Sequence, residues 1–402
     1  MLISREGYLQ KLLQKKDKDI IKIITGVRRC GKSTLLFQLY YQKLLDLGVP
    51  KDHIIRIALD NIRFEKLTDV HALYRYVKKQ IKDDGRYYLF IDEIQLADRF
   101  EDAVNGIKND FNVDIYITGS NSKFLSKDIN TTFRGRGIEI HVMPLSFAEY
   151  YSHTGGDKRK AFNEYLLYGG MPYCLQLDSA GEKAEYLAMM NETVVLNDII
   201  ERYHIRNAAA FGAVVSLVLS SVGSYVSAKK IADTLQSSQT PVDHKTVSCY
   251  LDYLCDAFLF YRAVRFDLRG KAYLKTLHKY YACDMGMRNS ALGFRQIEPT
   301  HAIENLVYLE LKRRGFMVDI GINRDKEIDF VARSPVNLYY IQVSYSVIDP
   351  CVLECEASAF RGLDDGYQKI ILTMDEDLFV LLEGGYRKMN LIDFLLDEKA
   401  LQ

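Results

Sequence analysis

The first part of the chain predicts an α/β fold in which helices cover both faces of a parallel sheet. Between residues 20 and 142, short apolar runs rich in β-branched and aromatic residues alternate with helical patterns. Strands that are apolar along their whole length are typical of parallel sheets buried on both sides. The 402 residues exceed what one compact core usually holds, so further domains are expected.

The elements of this part can be assigned from their periodicity. The predicted strands are residues 20–25, 53–59, 87–91, 114–118 and 137–142. The predicted helices are residues 5–16, 33–47, 69–81 and 100–108. Glycine or proline follows several of these runs and marks the turns between them.

Composition excludes several classes of protein. The chain has 53 basic and 53 acidic residues, whereas a dedicated nucleic-acid binder is usually more basic, although a local basic patch stays open. It contains neither a signal-peptide pattern nor the about 20 apolar residues of a membrane span, which predicts a cytoplasmic protein that does not use a membrane. The seven cysteines have no zinc-ligand spacing, which favours reduced thiols.

A glycine-rich segment follows the first predicted strand and precedes a predicted helix. It runs Gly26, Val27, Arg28, Arg29, Cys30, Gly31, Lys32, Ser33, and Thr34 comes next. The pattern G-x-x-x-x-G-K-[ST] forms a loop whose backbone N–H groups surround phosphate, helped by the positive end of the helix. Lys32 is expected to reach the β- and γ-phosphates, and the Ser33 hydroxyl to bind Mg²⁺. The sequence therefore predicts ATP and Mg²⁺ as ligands.

Two acidic residues end the third predicted strand, YYLFI. We expect Asp92 to hold Mg²⁺ through water, and Glu93 to polarise the attacking water. A carboxylate at the tip of a buried strand suits a metal better than a core. The alternative is an acidic turn, which the phosphate loop upstream makes less favoured.

Further catalytic candidates lie at the end of the next strand and before the last one. In IYITGSNS, Ser120 is the first choice for contacting the γ-phosphate or the attacking water, ahead of Thr118 and Asn121, with a plain turn as the alternative. In TTFRGRG, Arg134 or Arg136 is a candidate to complete the site of a neighbouring subunit, which would require a homo-oligomer. A solvated turn is the other interpretation of these arginines.

The motifs GVRRCGKS, YYLFIDE, ITGSNS, FRGRG and MPLSFAEY occur in this order. Together with YGGMPYCL, NDIIERYHIR and EIDFVAR, they resemble the prokaryotic AAA+ family ATPases that carry a C-terminal restriction-endonuclease-like domain of unknown function. The resemblance covers nearly the whole chain. It implies a P-loop AAA+ parallel-sheet core at residues 1–150, a helical lid at 151–206, a winged helix at 207–285 and a restriction-endonuclease-like domain at 286–402.

The pattern of residues 207–283, three helices and two strands, fits this winged helix. Its second and recognition helices are predicted at 227–236 and 242–255, and its wing at 258–265 and 272–281. The wing is rich in basic residues, which would contact DNA phosphates: Arg262, Arg265, Arg269, Lys271, Lys275 and Lys279. A protein-binding winged helix is the equally favoured alternative.

The last domain is predicted to lack nuclease activity. Glu304 and Asp329 fit the first two acidic positions of a restriction-endonuclease site. Gln342 and Ser344, however, stand where a carboxylate and a lysine are needed. An amide carries no negative charge for a metal, and a hydroxyl cannot replace an ammonium.

The sequence leaves two functions open. One is an ATPase whose cycle acts on DNA through the winged helix, and the other is a nucleotide-gated switch or chaperone-like module that binds protein partners. A DNA-cutting enzyme is disfavoured by Gln342 and Ser344. A smaller hypothesis is that Cys30, beside a helix N-terminus, is a reactive thiol that makes turnover sensitive to oxidation.

Overall fold

The computed structural model describes residues 2–120, 133, 135–237, 241–295, 298–376, 380–382 and 385–401. The chain divides into two compact units. The first comprises residues 1–143 and 256–258, and the second residues 144–255 and 259–402. Among the described residues, no helix is long and apolar enough to cross a membrane.

The elements of the first unit match the predicted order. Its strands are β1 (Ile21–Thr25), β2 (Ile54–Ala58), β3 (Tyr87–Asp92), β4 (Val113–Gly119) and β5 (Gly137–His141). Its helices are α1 (Glu6–Lys15), α2 (Lys32–Thr34), α3 (Tyr41–Asp46), α4 (Val70–Gln80) and α5 (Phe100–Asp110). The segment Leu35–Tyr40 joins α2 to α3 as a π-helix, so the chain is helical from the phosphate loop to residue 46.

The five strands form one parallel sheet in the order β2-β3-β4-β1-β5, which confirms the predicted α/β fold. Apolar residues of α4 and α5, such as Leu73 and Ile107, pack against Leu89 and Ile115 on one face. Tyr40 and Tyr116 meet on the other face, where their hydroxyls are 2.7 Å apart. Covered faces leave the strand ends as the place where polar side chains can meet a ligand.

The second unit begins with a largely helical half. Its helices are α6 (Phe147–Thr154), α7 (Lys158–Tyr168), α8 (Ala180–Met189), α9 (Asn197–Arg202), α10 (Ala208–Ser220), α11 (Ala228–Ser237) and α12 (His244–Asp256). Capping boxes begin two of them, because the hydroxyls of Ser146 and Ser179 accept hydrogen bonds from the N–H groups of Glu149 and Glu182. The short strand β6 (Tyr225–Val226) lies between α10 and α11.

The rest of this unit alternates strands and helices. Its strands are β7 (Phe260–Asp267), β8 (Ala272–Ala282), β9 (Met317–Asn323), β10 (Lys326–Arg333), β11 (Leu338–Ser344), β12 (Gln368–Thr373), β13 (Val380–Leu382) and β14 (Tyr386–Asn390). Its helices are α13 (Met285–Ala291), α14 (Pro299–Arg313), α15 (Pro350–Ser358) and α16 (Leu391–Leu396). Of these elements, the sequence did not predict β9, β13, β14, α13 or α16.

A nine-stranded sheet runs through this unit in the order β13-β14-β12-β11-β10-β9-β7-β8-β6. The two strands predicted as a wing, β7 and β8, are its members, and β7 pairs in parallel with β9. The predicted wing and the nuclease-like strands therefore share one sheet. The division into winged helix and C-terminal domain stays a prediction about sequence segments.

Candidate functional site

The phosphate loop has the backbone geometry that its glycines allow. Gly26 has a φ of 144° and Gly31 a φ of 100°, both in the region that favours glycine. A Cβ on Gly26 would stand 2.0 Å from the carbonyl oxygen of Val142, so no larger residue fits there. The loop leaves β1 and enters a helical segment at Lys32, as phosphate binding requires.

Lys32 lies inside this loop. Its side chain is buried, and its Nζ donates hydrogen bonds to the carbonyl oxygens of Gly26 at 3.0 Å and Val27 at 3.1 Å. These bonds join a charged donor to neutral acceptors, so phosphate oxygens would replace them favourably. Ser33 and Thr34 are exposed beside it, as are Arg28 and Arg29.

The paired acidic residues lie at the end of β3. Thr118, at the end of β4, donates its hydroxyl hydrogen to Asp92, and the same oxygen accepts the N–H of Glu93 at 3.1 Å. Glu93 has a φ of 50°, which is unusual for a residue with a side chain, and its carboxylate accepts a hydrogen bond from Gln95. Thr118 thus fixes the positions of both acids.

Strand order brings the loop and the acids to one edge. In the sheet, β4 lies between β3 and β1, and Thr118 is opposite Ile24, two residues before Gly26. All three strands are parallel, so the loop after β1, the acids after β3 and Ser120 after β4 lie at the same carboxyl edge. Ser120 is buried there, and Asn121 lies outside the described residues.

The two candidate arginines, Arg134 and Arg136, flank Gly135 in the sequence. Arg134 lies outside the described residues. Arg136 immediately precedes β5, whose first residue is opposite Ile21 at the start of β1, so it lies at the amino edge, away from the phosphate loop. Its guanidinium donates to Asn109 at 3.1 Å. Arg136 therefore has no route to the site of its own subunit, and any catalytic role requires another copy.

Mg²⁺ suits the donor set at this edge. Ser33 offers an exposed hydroxyl, and Asp92 offers a carboxylate that is 5% exposed and oriented by Thr118. Mg²⁺ prefers oxygen ligands, usually one or two from protein together with waters and nucleotide phosphates. No cluster of three or more His, Cys, Asp or Glu with metal-binding geometry occurs among the described residues.

Two contacts tie the loop to residues that are distant in the sequence. Cys30 is fully buried, and its thiol donates to the carbonyl oxygen of Val142 at 3.2 Å, which argues against the reactive-thiol hypothesis and favours a passive loop residue. Sequence reasoning also missed Arg5, whose guanidinium donates to the carbonyl oxygen of Cys30 at 3.1 Å. No local pattern announces this contact, because the two residues are 25 positions apart.

In the second unit, the residues of the predicted degenerate nuclease site lie close together. Asp329 accepts the N–H of Val343 at 2.8 Å, and its own N–H donates to the amide oxygen of Gln342 at 2.7 Å. The amide nitrogen of Gln342 donates to Glu356 on α15 at 2.8 Å. A carboxylate at position 342 could not donate this bond and would repel Glu356. The amide is therefore a fitted part of the cluster.

A lysine supplies the positive charge of this cluster. The Nζ of Lys279 lies 2.9 Å from the carboxylate of Glu304 and 2.7 Å from that of Glu327. Burial lowers the pKa of Lys279, but Glu304, Asp329 and Glu327 outweigh it and raise the pKa above its usual value. Burial and Glu304 raise the pKa of Asp329 well above its usual value.

This arrangement corrects the predicted basic wing. Lys279 is 4% exposed, so the prediction that it contacts phosphate is wrong. Arg262 forms an ion pair with Asp252, and Arg269 donates to the carbonyl oxygen of Gly362 at 3.2 Å. Two of the six basic residues that the sequence assigned to a nucleic-acid surface, Lys279 and Arg262, are therefore paired with carboxylates of the same unit.

Comparisons with known proteins identify the first unit and the chain's relatives. The family model of the AAA domain matches residues 18–151, and that of a domain of unknown function, DUF8612, matches residues 159–298. An uncharacterized protein of Haemophilus influenzae is 37% identical over 378 residues, covering 92% of this chain and 93% of that one. The uncharacterized protein MJ1544 of Methanocaldococcus jannaschii is 31% identical over 399 residues, covering 93% and 85%.

Two solved structures are distantly similar to this chain. The ORC1 protein of Aeropyrum pernix, solved in complex with DNA, matches with 14% identity, 73% coverage of this chain, 93% coverage of that chain and a TM-score of 0.30. A DNA polymerase III gamma subunit-related protein of Thermotoga maritima matches with 12% identity, 62% and 98% coverage, and a TM-score of 0.27. Scores this low support no conclusion about DNA. The chain contains an AAA domain and belongs to the same family as the uncharacterized proteins of H. influenzae and M. jannaschii.

Proposed function

We propose that this protein binds ATP at the phosphate loop and hydrolyses it to ADP and phosphate. The observation that carries the proposal is the strand order, which puts the loop after β1 and the acids after β3 on either side of β4. Thr118 of β4 hydrogen bonds to Asp92 and to the N–H of Glu93, so both acids are bonded to the strand that lies between them and β1. An AAA domain at residues 18–151 supports nucleotide binding.

Each residue has a role that follows from its position. The N–H groups between Gly26 and Ser33 bind the phosphates, and Lys32 exchanges its carbonyl partners for β- and γ-phosphate oxygens. Glu93 accepts a proton from the water that attacks the γ-phosphorus, while the bond to the bridging oxygen breaks and ADP leaves. Ser120 is the proposed contact to the γ-phosphate or to this water.

Mg²⁺ would be held by Ser33 directly and by Asp92 through water. When bound with ATP, it supplies positive charge against the β- and γ-phosphate oxygens. The restraint of Asp92 by Thr118 keeps its carboxylate oriented before nucleotide arrives.

For the second unit we propose a module that the ATP cycle moves. By the resemblance of its sequence, residues 151–206 form a helical lid, 207–285 a winged helix and 286–402 a restriction-endonuclease-like domain. We propose that the last domain does not cleave DNA, because Gln342 and Lys279 bind the carboxylates of Glu356 and Glu304. DNA would then be bound, through exposed residues such as Lys271, and not cut.

A protein partner is the second candidate, and a specific observation favours it. Lys279 and Arg262 form ion pairs within the unit, which reduces the charge available to phosphates. A nucleotide-gated protein-binding switch needs no such charge. In either case, a homo-oligomer in which Arg134 or Arg136 reaches a neighbouring site is part of the proposal.

Phosphate release from ATP, measured with Mg²⁺ and with or without duplex or single-stranded DNA, separates these candidates. Turnover that DNA raises, with an effect that falls steeply between low and physiological salt, supports the DNA-coupled ATPase. Turnover indifferent to DNA favours the protein partner. DNA cleavage by the unmodified chain would overturn the proposal that the C-terminal domain is inactive.

A further inference from the structure

A buried arginine of the N-terminal segment, Arg5, contacts the phosphate loop. Arg5 is 4% exposed, and its guanidinium bridges two carbonyl oxygens, that of Cys30 at 3.1 Å and that of Met143 at 2.8 Å. The same guanidinium lies 4.6 Å from the centre of the Tyr8 ring. A buried guanidinium is tolerated only where such partners replace water, so these contacts fix Arg5 in place.

Two positions of the loop, Gly26 and Cys30, lie against the same short segment. A Cβ on Gly26 would meet the carbonyl oxygen of Val142, and the Cys30 thiol donates to that oxygen at 3.2 Å. The Tyr8 hydroxyl accepts the N–H of Met143 at 3.1 Å. Val142 thus contacts the loop directly, and Met143 is linked to it through Arg5. These two residues immediately precede the start of the second unit at Pro144.

The contact to Cys30 bears on phosphate binding through the geometry of one peptide group. In a trans peptide, the C=O of one residue and the N–H of the next point in opposite directions. Arg5 binds the carbonyl oxygen of Cys30, so the N–H of Gly31 points away from Arg5, on the opposite side of the peptide. A positive charge on the carbonyl also polarises the peptide and strengthens the N–H as a donor.

We propose that Arg5 is a positioning residue for the nucleotide. It orients the N–H of the Cys30–Gly31 peptide toward the phosphates. It also links the loop to Val142–Met143, so that nucleotide binding restrains the segment leading into the second unit. This inference rests on the proposed nucleotide site. Arg5 itself touches no reacting atom and acts through the loop.

The test compares Arg5→Ala and Arg5→Lys with the parent chain in ATP turnover. Arg5→Ala raises KM for ATP about tenfold, the size of one charge-assisted hydrogen bond, with little change in kcat, because the loop holds ground state and transition state alike. Arg5→Lys, which keeps one donor, restores part of the loss. Arg63→Ala, at an exposed arginine of the same unit, leaves KM unchanged and is the matched control.

A second readout separates positioning from simple stability. Amide hydrogen exchange of residues 140–146 slows when ATP is added to the parent chain, and this response is lost in Arg5→Ala, while thermal unfolding shows that the variant is folded. Should Arg5→Ala not fold, Arg5→Lys and Tyr8→Phe carry the test, each with a smaller response. Parent-like KM and exchange in the folded variants overturn the inference. Absence of ATP binding by the parent would overturn the proposed function, and the inference with it.

Discussion

The phosphate loop and the cluster around Lys279 both surround a buried lysine, but they use it differently. Lys32 donates to carbonyl oxygens of its own loop, and Ser33 and Thr34 are exposed beside it. Lys279 is held between the carboxylates of Glu304 and Glu327. The first lysine has weak partners that an anion can replace, whereas the charge of the second is neutralised within the chain.

The comparison shows that the proximity of polar residues is not enough to identify a ligand site. In the C-terminal cluster, Tyr281 donates to Glu304 at 2.6 Å, and Tyr225 donates to Glu327. Gln342 joins Asp329 to Glu356. The carboxylates thus have donors from the protein itself, whereas Lys32 at the phosphate loop donates to neutral carbonyl oxygens that phosphate oxygens would replace.

The largest effect, a loss of affinity for ATP, is expected when Lys32 is replaced. Lys32→Ala removes the only ammonium in the loop, so affinity for ATP falls by about 1000-fold, equivalent to roughly 4 kcal/mol from two charge-assisted contacts. Isothermal titration with ATP and Mg²⁺ measures the change. Lys51→Ala, at an exposed lysine of the same unit, is the control and keeps parent affinity. Equal affinities in the two variants would show that the loop is not the binding site.

The next effect is expected at Glu93 and concerns turnover. Glu93→Gln keeps the size of the side chain but removes its basicity, so kcat falls by about 100- to 10,000-fold while ATP binding is retained. Steady-state phosphate release and a nucleotide-binding assay measure the two quantities. Glu65→Gln, at an exposed position, should change neither. A loss confined to binding would assign Glu93 a structural role.

At Lys279 the account predicts a loss of stability. Lys279→Met leaves Glu304 and Glu327 without their cation, so the free energy of unfolding falls by about 3 kcal/mol. Urea denaturation followed by circular dichroism measures this change. Lys271→Met, at an exposed residue in the turn that joins β7 and β8, is the control, and the double variant Lys279→Met/Glu304→Gln recovers part of the loss. If the two single variants are equally stable, the description of an internally neutralised cluster fails.

The smallest effect is expected at Thr118. Thr118→Val removes the hydroxyl that binds Asp92 and accepts the N–H of Glu93, so kcat falls by about tenfold with the fold retained. Thr68→Val, which removes a hydroxyl bonded to the carbonyl oxygen of Glu65 on the surface, is the matched control. Parent-like turnover in Thr118→Val would mean that Asp92 and Glu93 need no such restraint.

The sequence predicted the first unit well because its signals are local. Its strands are short runs rich in β-branched and aromatic residues, and the phosphate loop is a contiguous pattern placed between a strand and a helix. The strand Met317–Asn323 was missed because Asp319 and Gly321 interrupt its apolar pattern. Asp319 is tolerated there because Arg333, on the neighbouring strand β10, forms an ion pair with it.

The parts that sequence could not supply depend on distant partners. Arg5 binds the carbonyl oxygen of Met143, 138 residues away. Lys279 looks like one of several wing cations, and only the fold brings Glu304 and Glu327 to it. Both side chains are charged and buried, and nothing in their neighbouring residues marks them as different from solvated ones.

We propose that the phosphate loop and the acidic pair Asp92 and Glu93 act together in ATP hydrolysis. The most direct test of this proposal is phosphate release from ATP by the parent chain with Mg²⁺, beside Mg²⁺ removed by a chelator and beside the Lys32→Ala and Glu93→Gln variants. We predict turnover that requires Mg²⁺ and is lost in both variants, with ATP still bound by Glu93→Gln. Turnover that persists in Lys32→Ala would contradict the account.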